Sequence, residues 1–178
     1  MNSLLPIKHN NLAVILAPRP EYIPELIAGL ALLGSVTVLD GGNCFPAYRI
    51  AQLIRIKSVH VQSISKHIFV RRAFTCYQIL HLLESAPSLT HPHVILNLLS
   101  TFQDDQVTLR EADRLLSLCL SQIKRLSLTA PVAVSLEPLL QAEKSVLLQR
   151  VCDQADEIFS LGSAKDPQPR QMTFFQGG

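Results

Sequence analysis

The feature that most constrains this chain is its spacing of short apolar runs. Residues 12–17, 36–39, 94–98 and 131–135 carry no charge and little alternation. Runs of that kind read as strands buried on both faces of a parallel sheet. Between them stand segments with helical spacing, over 22–33, 46–56, 74–83, 109–126 and 143–155. Residues 67–70 and 157–161 read as two further short strands. Successive strand–helix units of ~30 residues predict an α/β fold. The expected architecture is a doubly wound, mostly parallel sheet with helices on both faces, three layers in all, joined by right-handed crossovers.

Local signals fit those boundaries. Gly34 follows the first helical pattern as a stop. Asp40-Gly41-Gly42-Asn43 marks a tight turn, and one of its glycines is expected to allow positive φ or a close backbone approach. Tyr48, Ala51, Leu53 and Ile54 stand near helical spacing, which predicts one apolar face for the helix over 46–56. Glu111 and Asp113 lie early in the longest helix and Lys124 and Arg125 late, matching the helix dipole.

The first strand runs through a turn into a helix, the place where phosphate-binding loops are built. Such a loop needs glycines for backbone approach, a Lys for the phosphates and a hydroxyl for Mg²⁺. Here the turn reads Ala17-Pro18-Arg19-Pro20-Glu21. Two prolines remove two N–H donors, and Arg19 is the one cation.

At 178 residues, 48 % of them apolar, the chain can bury a sizeable core. Residues 1–162 are expected to form one domain and residues 163–178 a polar tail that serves as a linker. The formal charge of +2 is too small to argue nucleic-acid binding alone. Cys44, Cys76, Cys119 and Cys152 form no CxxC pair, so reduced thiols in an intracellular, cytoplasmic protein are expected. No metal site, cofactor, signal peptide or membrane span is expected. His91 and His93 around Pro92 read as a turn before a strand. Cys76 and His81 lie five apart on one helix and point to different faces. No Gly-x-Ser-x-Gly elbow occurs.

Several segments, in order, carry a resemblance. VTVLDGGNCFPAYRIAQLI, FVRRAFTCYQILHLLE, HVILNLLSTF and LLSLCLSQIKRLSLTAPVAVSLEP together resemble the core of the RecA-type recombinase ATPases over roughly residues 11–160. The resemblance implies a RecA-like sheet and a nucleotide site at Arg19, Asp40, Gly42 and Asn97. That site is degenerate. Gly42 matches the position of the catalytic Glu, and Asn97 that of the Walker B Asp. Phosphoryl transfer rests on charge neutralisation by Lys and Mg²⁺, so ATP hydrolysis is not expected. Asp40, ending a strand, is expected to cap the following turn rather than bind a ligand.

The segments corresponding to recombinase DNA-binding loops, residues 103–108 and 136–142, are short, and the second lacks basic residues. Arg49, Arg55, Lys57, Lys66, Arg71 and Arg72 fall within about one strand–helix–strand unit. They form either a phosphate-contacting face or an ordinary solvated surface. Aromatics do not interleave with them in the sequence reading, so no single-strand stacking platform is expected. DNA contact should be weak or indirect.

The tail holds Gln171-Met172-Thr173-Phe174-Phe175, which resembles the peptide that bacterial repair proteins insert into the sliding clamp. Gln171, Met172, Phe174 and Phe175 are the partner-binding candidates. The same residues could instead fold back on the body.

The leading expectation is a non-catalytic accessory protein of DNA repair or recombination, acting by contact with a clamp, polymerase, nuclease or recombinase, with homo-oligomerisation left open. A nucleotide- or anion-sensing module without hydrolysis is the alternative. An enzyme using Asp40, Asn43 and Arg72 at the sheet's carboxyl ends is a third.

Overall fold

The structure is a computed structural model that describes residues 11–139 and 142–160. Its six strands are β1 (Leu12–Leu16), β2 (Val36–Asp40), β3 (Ile68–Arg72), β4 (His93–Leu96), β5 (Val132–Leu136) and β6 (Glu157–Ser160). They form one sheet in the order β3-β2-β4-β5-β1-β6. Every pairing is parallel. The α/β class with helices on both faces is as expected.

The helices are α1 (Tyr22–Leu33), α2 (Ala47–Lys57), α3 (Val61–Ser65), α4 (Cys76–Glu84), α5 (Leu109–Ser127) and α6 (Ser145–Asp153). Strand alternation divides the core into two layers. Val36, Val38, Val94 and Leu96 pack with Leu26, Ile27, Ile50 and Ile54 of α1 and α2. Leu39, Ile95, Val132 and Val134 pack with Ile79, Leu116, Leu120 and Leu147 of α4, α5 and α6. The central strands are mostly apolar because both of their faces are covered, with Thr37, Asp40, His93 and Ser135 as their polar members.

Caps mark three of the helix ends. Thr108 precedes α5 and its hydroxyl accepts the Glu111 N–H. Thr75 does the same for Gln78 at α4. Gly34 ends α1 with its N–H on the Leu30 carbonyl, as expected.

Several boundaries differ from the sequence reading. β1 stops at Leu16 because Ala17 turns left-handed at φ 43. β4 stops at Leu96 because Asn97 does so at φ 46, and a 3₁₀ turn, Leu98–Phe102, follows. The region before α6 opens with another 3₁₀ turn, Ala142–Lys144. Here Lys144 is buried and its ammonium donates to the carbonyls of Phe102 and Asp104. Tyr48 does not join the buried face of α2; it is exposed, and Ile50 and Ile54 provide that face. The short helix α3 was not foreseen. Among the described residues no helix is long and apolar enough to cross a membrane.

β1 and β2 lead into helices on one face, β4 and β5 into helices on the other. The neighbours β2 and β4, and likewise β5 and β1, therefore send their chains apart. Open α/β sheets place ligand sites at the carboxyl ends of such strand pairs.

Candidate functional site

The carboxyl edge of the sheet gathers the residues that a ligand would meet. Asp40 ends β2 and is fully buried. A buried carboxylate is costly unless its oxygens are satisfied. The Cys44 N–H donates to Oδ1 at 3.0 Å and the Phe45 N–H to Oδ2 at 3.1 Å. The Cys44 thiol lies 3.7 Å from Oδ1, and the Arg72 Nε lies 3.3 Å from Oδ2. Asp40 thus caps the turn that follows it, and both of its oxygens are engaged.

The thiol of Cys44 is correspondingly inert. Although Cys44 is exposed at the surface, partial burial of its sulfur, with the charge and hydrogen bond of Asp40, pushes its pKa up to about 11. A thiol so raised stays protonated at neutral pH and is a poor nucleophile. Burial also pushes Cys119 up to about 12. All four cysteines are free.

Asn97 ties β4 to β5. Its N–H donates to the Ser135 hydroxyl at 2.9 Å, and its side-chain oxygen accepts the Glu137 N–H at 3.4 Å. Gly42 lies against it. A Cβ at Gly42 would come within 2.9 Å of the Asn97 Cβ and 3.1 Å of the Cys44 sulfur. At Gly41 a Cβ would meet the Leu96 carbonyl oxygen at 3.2 Å. Close approach, rather than positive φ, is what these glycines supply. The two positions that the RecA resemblance marks as acidic are therefore in contact, and a glutamate at Gly42 has no room without displacing Asn97.

The turn after β1 is shaped against anions. Pro24 leaves the first turn of α1 one donor short, and Glu21 and Glu25 put negative charge at its positive end. Glu21 pairs with Arg49 of α2 at 2.7 Å. Arg19 is exposed, and its side chain has no hydrogen bond or ion pair among the described residues. Among the described residues, the non-glycine residues with positive φ are Ala17, Asn43 and Asn97. All three stand at this edge, and such strain tends to cluster at functional sites.

The six basic candidates are not one surface. Arg49 and Arg72 are paired to Glu21 and Asp40. Arg71 donates to the Ser85 hydroxyl on the α4 side of the sheet, whereas Arg55 and Lys57 ride on α2, on the other side. Lys66 caps α3. The expectation that aromatics stay clear of these cations does not hold. Phe69 and Phe74 flank Arg71 and Arg72 and are 52 % and 66 % exposed. The sequence puts Phe69 in a strand over 67–70 and Phe74 at the start of a helix, but α4 begins only at Cys76. β3 lies at the sheet edge, so neither of its faces is closed.

A ring cluster also escaped the sequence reading. His93 is buried and neither of its ring nitrogens has a hydrogen-bond partner. His91 stacks on it at 5.6 Å and Phe69 stacks on His91 at 6.2 Å. Burial and the nearby His91 lower the pKa of His93 to about 4. Among the described residues no group of three or more His, Cys, Asp or Glu is placed to hold a metal ion. Gln171, Met172, Phe174 and Phe175 lie outside the described residues.

No family model matches this chain. A comparison with curated proteins likewise gives no match.

Proposed function

We propose that this chain is a non-catalytic accessory protein of DNA repair or recombination, a RecA-like scaffold that acts through protein contacts. The observation that carries the reading is the closure of the carboxyl edge on itself. Asp40 is consumed by the turn it caps and by Arg72, and Asn97 is spent on the Ser135–Glu137 connection. Phosphoryl transfer needs cations and Mg²⁺ ligands free to face a nucleotide, and these groups face the protein. Glu21 and Glu25 at the head of α1 weigh against the alternative of an anion-sensing module.

On this reading the working surface is elsewhere, and the clamp-like segment Gln171-Met172-Thr173-Phe174-Phe175 is its leading candidate. Aromatic anchors of this kind carry most of the energy of small interfaces. The test is capture of a bacterial sliding clamp by the full chain, compared with a chain lacking residues 171–178. The deletion should abolish capture and leave the thermal midpoint unchanged, and Phe175→Ala should cost about 2 kcal/mol of binding. A lowered midpoint with capture intact would mean that the segment docks on its own body.

A further inference from the structure

Residues 41–83 hold six of the sixteen Lys and Arg residues and none of the fourteen Asp and Glu residues. This stretch builds α2, α3, β3 and nearly all of α4. It therefore gathers positive charge at the β3 end of the sheet, while the rest of the chain is net acidic. Two of the six cations are matched from outside the stretch, Arg49 by Glu21 and Arg72 by Asp40. Arg55, Lys57, Lys66 and Arg71 are exposed, with no carboxylate partner among the described residues.

β3 pairs with β2 on one side and stands at the edge of the sheet on the other. Its residues from Phe69 to Arg72 are exposed. On the α4 face of this strand Phe69 ends a stack of three rings. His93 is the buried foot. His91 lies above it at 5.6 Å and 18°, and Phe69 lies above that at 6.2 Å and 22°. The Thr37 hydroxyl, 2.8 Å from His91 Nε2, fixes the middle ring. A near-parallel stack rooted in the core and open at its outer end presents a flat surface to a further ring. Arg71 stands two residues beyond Phe69, hence on the same face. It holds Ser85 through one of its five N–H donors.

We propose that this edge binds single-stranded nucleic acid, with a base stacked on Phe69 and phosphates held by Arg71 on the same face and Lys66 just before β3, while Arg55 and Lys57, on the other face of the sheet, add only longer-range attraction. Charge complementarity selects a polyanion, and the open ring stack selects one whose bases are unpaired. Aromatic stacking is tolerant of sequence, because every base has a π-face. A duplex hides those faces and should bind less well. The contact is independent of the clamp-like segment, so loss of either one would leave the other intact.

The full chain contains no Trp, so Phe69→Trp installs a single reporter in the stack. An oligothymidylate of about 20 nucleotides, longer than a typical single-strand site, should quench that fluorescence. Labelled oligonucleotide should bind Phe69→Ala about tenfold more weakly at an unchanged thermal midpoint. The double change Lys66→Gln with Arg71→Gln should reduce the salt slope by about 1.4, two phosphate contacts' worth. The control change Arg110→Gln, at the head of α5, should leave binding alone. Equal affinity for duplex and single strand, with no effect of Phe69→Ala, would reduce the edge to unspecific charge and overturn the assignment. So would quenching by an acidic peptide but not by oligothymidylate, or a dimer in sedimentation that Phe69→Asp dissolves while nucleic acid fails to bind.

Discussion

At the scale of single residues, the carboxyl edge is held by contacts that leave no slack. Gly42 and Asn97 are the closest case. Gly42→Ala would push a methyl group against the Asn97 side chain and should destabilise the fold by about 1–3 kcal/mol, the usual cost of overpacking. Asn97→Gly keeps the left-handed backbone and removes the obstructing Cβ. In that background Gly42→Ala should cost less than half as much. Urea unfolding of the four chains of this cycle measures the difference, and equal costs in the two backgrounds would show that Asn97 is not what Gly42 avoids. His93 offers a test through pH. Its folded pKa of about 4 lies below the unfolded value of about 6.5, so the unfolded chain binds the proton more readily. Stability contributed by keeping this ring neutral is intact above pH 6.5 and falls as pH drops towards 4. The loss should be on the order of 2–3 kcal/mol. The charges of the His91 ring and of Arg125 oppose its protonation, whereas the backbone of His91 favours it. His93→Leu should flatten the fall in thermal midpoint over that interval. An unchanged slope would mean that other groups govern the acid limb.

At the scale of elements, the central strands and the longer helices were legible, and the short or edge pieces were not. Val36, Val38, Val94 and Val132 announce themselves because both faces of their strands are buried. The ends of β1 and β4 were misplaced by a residue or two because Ala17 and Asn97 leave the strand through left-handed backbone, which an alanine in particular does not signal. The five-residue helix α3, rich in serine, is too short to show a period. β3 was found, but its exposure was not, since edge position is a property of the assembled sheet. Capping was only half read. The dipole pattern of α5 was legible, yet the more local device is the Thr108 hydroxyl on the Glu111 N–H. Thr108→Ala should cost about 1 kcal/mol, which for a chain of this size lowers the melting midpoint by about 2–4 °C. A calorimetric scan with no shift would remove the cap from the list of contributors.

At the scale of the whole molecule, alternation of strand and helix gave the layered architecture but not the strand order. Parallel neighbours such as β1 and β5 are joined in space by residues far apart in sequence, and nothing local records that pairing. Half of the candidate site was legible for the same reason. The missing Lys and hydroxyl after β1 could be read directly, and so could the neutral Asn97. That Asn97 reaches Glu137 and crowds Gly42 needed three strand ends brought together. The basic stretch was visible as a list of cations, whereas the ring stack beside it required β2, β3 and β4 in register. Titration of the full chain with Mg·ATP in a calorimeter tests the closed edge most directly. With Asp40 and Asn97 engaged by the protein and acidic side chains at the head of α1, no saturable heat should appear up to about 1 mM nucleotide, the weak limit of useful affinity. Saturable binding in the micromolar range would contradict the closure and return the carboxyl edge to service as a nucleotide site.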